Sequence, residues 1–129
     1  ENLLGYPDTR YYGENILVHE FSHMMMNGLR TADSALFAEI RPAYEAAKAK
    51  GMYKGQYAIN TVAEYWAEGT QWWFWSNYEF YDGETRIQSP EDLKAYDPTL
   101  YNILERVYGG HHIPADVYHG KNIRPARRR

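Results

Sequence analysis

The chain has 129 residues, of which 44% are hydrophobic, 16% aromatic and 24% charged, enough for one hydrophobic core and too few for two domains of ordinary size. Its net charge of −3 hides an asymmetry: Lys121, Arg124, Arg127, Arg128 and Arg129 make residues 121–129 a basic tail with no acid, leaving 9 basic against 17 acidic residues in residues 1–120. An acidic body argues against nucleic acid as a partner, since phosphates require a basic face. The lack of cysteine excludes disulfides and thiol nucleophiles, and no apolar run reaches the length of a membrane span.

A single domain over residues 1–129 is expected, with the basic tail as a solvated terminus, a processing scar or the start of a missing segment. The chain opens on Glu1 rather than Met, which suggests a processed or excised piece of a longer protein.

Residues 1–13, with Gly5, Pro7, Asp8 and Gly13 among tyrosines, read as an irregular lead-in. A helical period then begins, and residues 16–27 are predicted as the first helix. Leu17, Phe21, Met24 and Met25 are its expected core face, with Glu20 and His23 directed to another surface and Asn27-Gly28 as the C-terminal stop.

A second helix follows Thr31 and Asp33, with Leu36, Phe37, Ile40, Tyr44 and Ala47 as its apolar stripe and Pro42 as a kink or restart. Residues 51–59 read as a loop or short extended piece. Asn60 or Thr61 then caps a third helix over residues 62–77, whose tyrosine, tryptophans and phenylalanine are core rings. Ser89-Pro90 and Asp97-Pro98 are two further helix starts, the second opening a run through Leu100, Ile103, Leu104 and Val107 that Gly109-Gly110 closes. His111, His112 and His119 lie beyond it without periodicity and read as ordinary surface or packing histidines. The predicted fold is therefore mainly α, with little or no β-sheet.

Within the first helix the sequence reads His19-Glu20-Phe21-Ser22-His23. One helical turn places His19 and His23 on the same face, where two neutral imidazoles can grip one metal ion. Glu20 stands on the rim of that face, where its carboxylate can take a proton from a water at the ion. Chance alone yields such a motif in about one to two per cent of chains of this composition, so a third ligand matters.

A hydrolytic zinc centre wants three protein ligands and one open position. Glu64 and Glu68 are four residues apart and share a helix face, so one can bind metal while the other buttresses a ligand. Thr61-x-x-Glu64 equally fits a capping box, which would occupy the Glu64 carboxylate at the helix start.

Together, His19-Glu20-Phe21-Ser22-His23 and Glu64-Tyr65-Trp66-Ala67-Glu68 resemble the anthrax lethal factor-like branch of the gluzincin zinc metallopeptidases. In that family an H-E-F-x-H helix precedes an E-aromatic-aromatic-A-E helix. The resemblance implies a compact helical zincin-like core that binds one Zn2+ through His19, His23 and Glu64. Glu20 is then the general base and later proton donor. It further implies that Glu68 supports a ligand histidine, and that Tyr57, seven residues before Glu64, donates a hydrogen bond to the oxyanion.

The implied activity is endopeptidase cleavage of a peptide or protein substrate, and the resemblance favours a secreted protein. The acidic body suits basic or neutral peptides. Gluzincins place a substrate-holding sheet before the metal helix, and 18 residues before His19 are too few for one. Either the chain is a fragment or something else holds the substrate. A catalytically inactive zinc-binding or interaction module of the same ancestry is the alternative, and it has no need of Glu20 or Tyr57.

Overall fold

The computed structural model describes residues 10–113, so the expectations for residues 1–9, His119 and the basic tail 121–129 lie outside the described residues. The fold is mainly α, as predicted: α1 (Ile16–Ala32), α2 (Ser34–Ala49), a 3-10 turn (Tyr57–Ile59), α3 (Val62–Trp73), α4 (Pro90–Tyr96) and α5 (Pro98–Tyr108). Strands β1 (Phe80–Tyr81) and β2 (Arg86–Ile87) form one small antiparallel hairpin that pairs Phe80 with Ile87. No helix among the described residues is long and apolar enough to cross a membrane.

The core is built around α3, which touches each of the other four helices. Every residue from Tyr65 to Trp73 is buried. A helix of twelve residues is marginal alone in water, so burial of Tyr65, Trp66, Trp72 and Trp73 holds it. Each such ring removes about 150–250 Å² from water, which at about 25 cal/mol per Å² is roughly 4–6 kcal/mol before entropy is charged against it. Gly69 permits the closest approach, because a Cβ there would lie 2.5 Å from Leu100 Cδ2 on α5.

Two expectations for α1 are corrected. Leu17, Phe21 and Met24 are exposed and Met25 is only half-buried. The inward face is instead His19 and Ser22, with Met26 and Leu29 packed on the core. His19 and Ser22 of the motif point inward because their counterpart is α3, so the side of the helix that a simple apolar reading assigns to solvent is the side that packs.

Nor does Gly28 stop the helix. An interior glycine costs about 1 kcal/mol, which the anchoring of Met26 and Leu29 on either side of it offsets. The chain turns instead at Asp33, which ends α1 and whose side chain caps α2 by accepting from the Leu36 amide at 2.9 Å.

Further along, α2 runs through Pro42 without interruption and buries Leu36, Ile40, Tyr44 and Ala47 as expected, with Phe37 half-buried against them. Residues 51–59 hold the 3-10 turn rather than an extended piece. Ser89 and Asp97 cap α4 and α5, and Gly109 closes α5 in the left-handed conformation. His112 is a packing histidine, its ring 4.0 Å from that of Trp73.

The helix predicted to residue 77 ends at Trp73, because Trp75 adopts φ +53°. That left-handed conformation costs roughly 1–2 kcal/mol in a residue with a side chain. It turns the chain back on α3, with the Ser76 amide donating to the Gln71 carbonyl at 2.8 Å.

Candidate metal centre

The facing surfaces of α1 and α3 hold the site. Asn15 starts α1, its side chain accepting from the amides of Leu17 and Val18. One turn on, His19 and His23 project side by side with ring centroids 5.0 Å apart. The spacing of the two helices is set next to them, where Trp66 Nε1 donates to the Ser22 carbonyl at 2.9 Å.

On α3, Thr61 caps the helix by accepting from the Glu64 amide at 3.1 Å. The Glu64 carboxylate does not return to the cap. Its Oε2 lies 3.0 Å from His19 Nε2 and its Oε1 3.9 Å from His23 Nε2. The backbone amide of Glu64 therefore serves the cap while its carboxylate faces the two histidines.

His19, His23 and Glu64 form a group that could hold a metal ion, each offering one ligand atom, with all three atoms within 4.8 Å of one another. Two ligands each about 2.1 Å from a tetrahedral ion stand about 3.4 Å apart, and the two oxygens of Glu64 lie 3.0 Å from His19 Nε2 and 3.9 Å from His23 Nε2 respectively. The residues fit an ion by a second criterion. Glu64 Oε2 is buried and accepts no hydrogen bond, and its 3.0 Å contact to His19 Nε2 is an ion pair only while that ring is protonated; a metal cation would balance the carboxylate once the proton leaves.

Glu68 is buried, with Oε1 3.4 Å from His19 Nδ1. Its Oε2 accepts from Asn77 Nδ2 at 2.8 Å and from Gln56 Nε2 at 2.6 Å. Tyr57 is half-exposed, with its ring 6.4 Å from that of His19. It follows Gln56, whose side chain both caps the 3-10 turn and holds Glu68, so the turn is tied to the site by that one amide. Beside it opens a shallow hollow of about 320 Å³ lined by Gly55, Gln56, Tyr57, Ile59 and Asn60. Glu20 is exposed, adjacent to His19 in the helix.

Three residues of the site were not foreseen: Gln56, Gln71 and Asn77. Gln71 is wholly buried, and its Oε1 lies 2.9 Å from His19 Nδ1. It stands seven residues after Glu64 and three after Glu68, so helical spacing was the signal that could have found it. Asn77 carried no such signal, because the left-handed Trp75 brings it back to Glu68.

Burial alone would lower the His19 pKa. Hydrogen bonding to Glu68 and Gln71 and the charges of Glu68 and Glu64 outweigh it and raise the group from 6.5 to about 9. Without metal, His19 is therefore cationic at neutral pH. A proton held more tightly in the folded than in the unfolded chain stabilises the fold fully below about pH 6.5, and that contribution disappears as pH rises through about 9.

Two opposite pH dependences are expected. Thermal melts in chelator should show the metal-free chain losing stability between about pH 6.5 and 9, whereas zinc affinity should rise over that window as the proton leaves. A flat metal-free stability profile there would contradict the assignment.

No protein-family model, curated protein or solved structure matches the chain.

Proposed function

We propose that the chain is a zinc-dependent metalloendopeptidase of gluzincin type, with His19, His23 and Glu64 holding one Zn2+. The observation that carries the reading is the convergence of the Glu64 carboxylate on both histidines of the H-E-F-x-H helix. Two histidines and one carboxylate are a hydrolytic rather than a structural ligand set. The half-exposed His23 side chain leaves that flank of the site open to solvent.

The ion supplies acidification of water and polarisation of the scissile carbonyl. The chain's own residues do the rest. Glu20, exposed beside His19, removes the proton from the attacking water and later delivers it to the leaving amine. Tyr57 donates a hydrogen bond to the oxyanion, a contribution of about 3–4 kcal/mol at most. Gln56 fixes the turn that carries Tyr57. Glu68 and Gln71 hold the far nitrogen of His19, so its near nitrogen keeps a fixed direction.

The test is digestion of casein and a peptide library with and without chelator. Cleavage that chelator stops and zinc restores supports the reading. Zinc binding without cleavage would leave the inactive zinc-binding module in its place.

A further inference from the structure

We propose that Gln71 is the positioning residue that dictates which nitrogen of His19 meets the metal. The proposal rests on the zinc-site reading above and adds to it a residue that the two glutamate-containing motifs do not contain.

The orientation of one amide sets the direction of the contact. Gln71 is wholly buried on α3, and one end of its side chain faces two backbone carbonyls, Asn15 O at 3.1 Å and Ser76 O at 3.3 Å. Carbonyl oxygens only accept, so the nitrogen occupies that end and the oxygen the other. Oε1 then faces His19 Nδ1 at 2.9 Å and can only accept from it. When His19 is neutral, as a metal ligand must be, its one proton is therefore held on Nδ1, which leaves the Nε2 lone pair aimed at the space beside Glu64 and His23.

Glu68 could give the same tautomer, but its closer oxygen is 3.4 Å from Nδ1, and its other oxygen is engaged by Asn77 and Gln56. The shorter contact, and the one whose polarity the backbone enforces, belongs to Gln71. Both carbonyls that orient it are themselves fixed. Asn15 is the N-cap of α1, and Ser76 follows the left-handed Trp75 and is tied to Gln71 through its own amide. The irregular end of α3 thus has a purpose at the metal.

The experiment uses Gln71→Met, which keeps the side-chain length and removes the amide. Zinc affinity is measured by competition with a chelating dye, and a melt of the metal-free variant establishes that it folds. The expected result is affinity weaker by about ten- to a hundredfold. An affinity within twofold of native in the folded variant overturns the proposal.

If Gln71→Met does not fold, nitrogen-15 NMR of the zinc-loaded native chain and of zinc-loaded Glu68→Ala decides. His19 with a metal-bound Nε2 and an Nδ1 proton that stays slowly exchanging in Glu68→Ala upholds the proposal, and binding through Nδ1, or loss of that proton's protection in Glu68→Ala, overturns it. Neither readout involves turnover. A chain with this tautomer that cleaves nothing sinks only the peptidase reading, and a peptidase with unaltered zinc affinity in Gln71→Met sinks only the role of Gln71.

Discussion

Glu20→Gln is expected to bind zinc as the native chain does and to lose peptide hydrolysis by about 10²–10⁴-fold, the contribution usual for a general base. The substitution preserves size and removes the negative charge and the ability to take up a proton. Because Glu20 is exposed and outside the His19–His23–Glu64 group, neither folding nor metal content should change. The comparison is made by single-turnover cleavage of a peptide that the native chain digests, with zinc measured on the same samples. A variant retaining more than about a tenth of native activity would remove Glu20 from the mechanism.

The second large effect concerns the fold that presents the site. Asp97 is buried at the junction of α4 and α5 and uses both oxygens. Oδ1 caps α5 through the Leu100 amide at 3.0 Å, while Oδ2 accepts from the phenols of Tyr65 at 2.7 Å and Tyr53 at 3.0 Å. Burial, followed by the Asp97 charge, pushes both phenols above their usual range, so they remain neutral donors.

Asp97→Ala removes a cap worth about 1 kcal/mol and leaves two buried phenols without that acceptor, at about 1–3 kcal/mol each. A loss of about 4 kcal/mol is expected, a large share of the total stability of such a domain. Asp97→Asn is no conservative rescue, because one end of an amide can only donate while both positions here must accept. It should fall between native and alanine. Urea melts of the three proteins test this, and a loss below about 1 kcal/mol for alanine would contradict it.

How much of this was legible in the chain depended on whether the deciding contact was local. The caps at Ser89 and Asp97 were readable because a capping side chain bonds an amide three residues on. His19, His23 and Glu64 were readable as candidates from spacing, and their convergence is a property of how α1 meets α3.

The orientation of α1 was not readable. The helix has apolar residues on both sides, Leu17, Phe21 and Met24 on one and Met26 and Leu29 on the other, and its inward-facing histidine counts as polar in a periodicity argument. The hairpin was missed although Asp82-Gly83 is a turn signal, because strands of two residues have no alternation to detect. The end of α3 was missed for a different reason. Its left-handed residue is Trp75, where glycine or asparagine is the usual marker.

The central claim is that Glu64 completes a three-residue zinc site, and metal stoichiometry tests it most directly. Native chain and Glu64→Ala are stripped with chelator, reloaded with zinc, desalted and measured for metal by mass spectrometry, with melts confirming that both fold. The account predicts about one equivalent of zinc in the native chain and less than about a tenth in Glu64→Ala. Full stoichiometry in folded Glu64→Ala would contradict it.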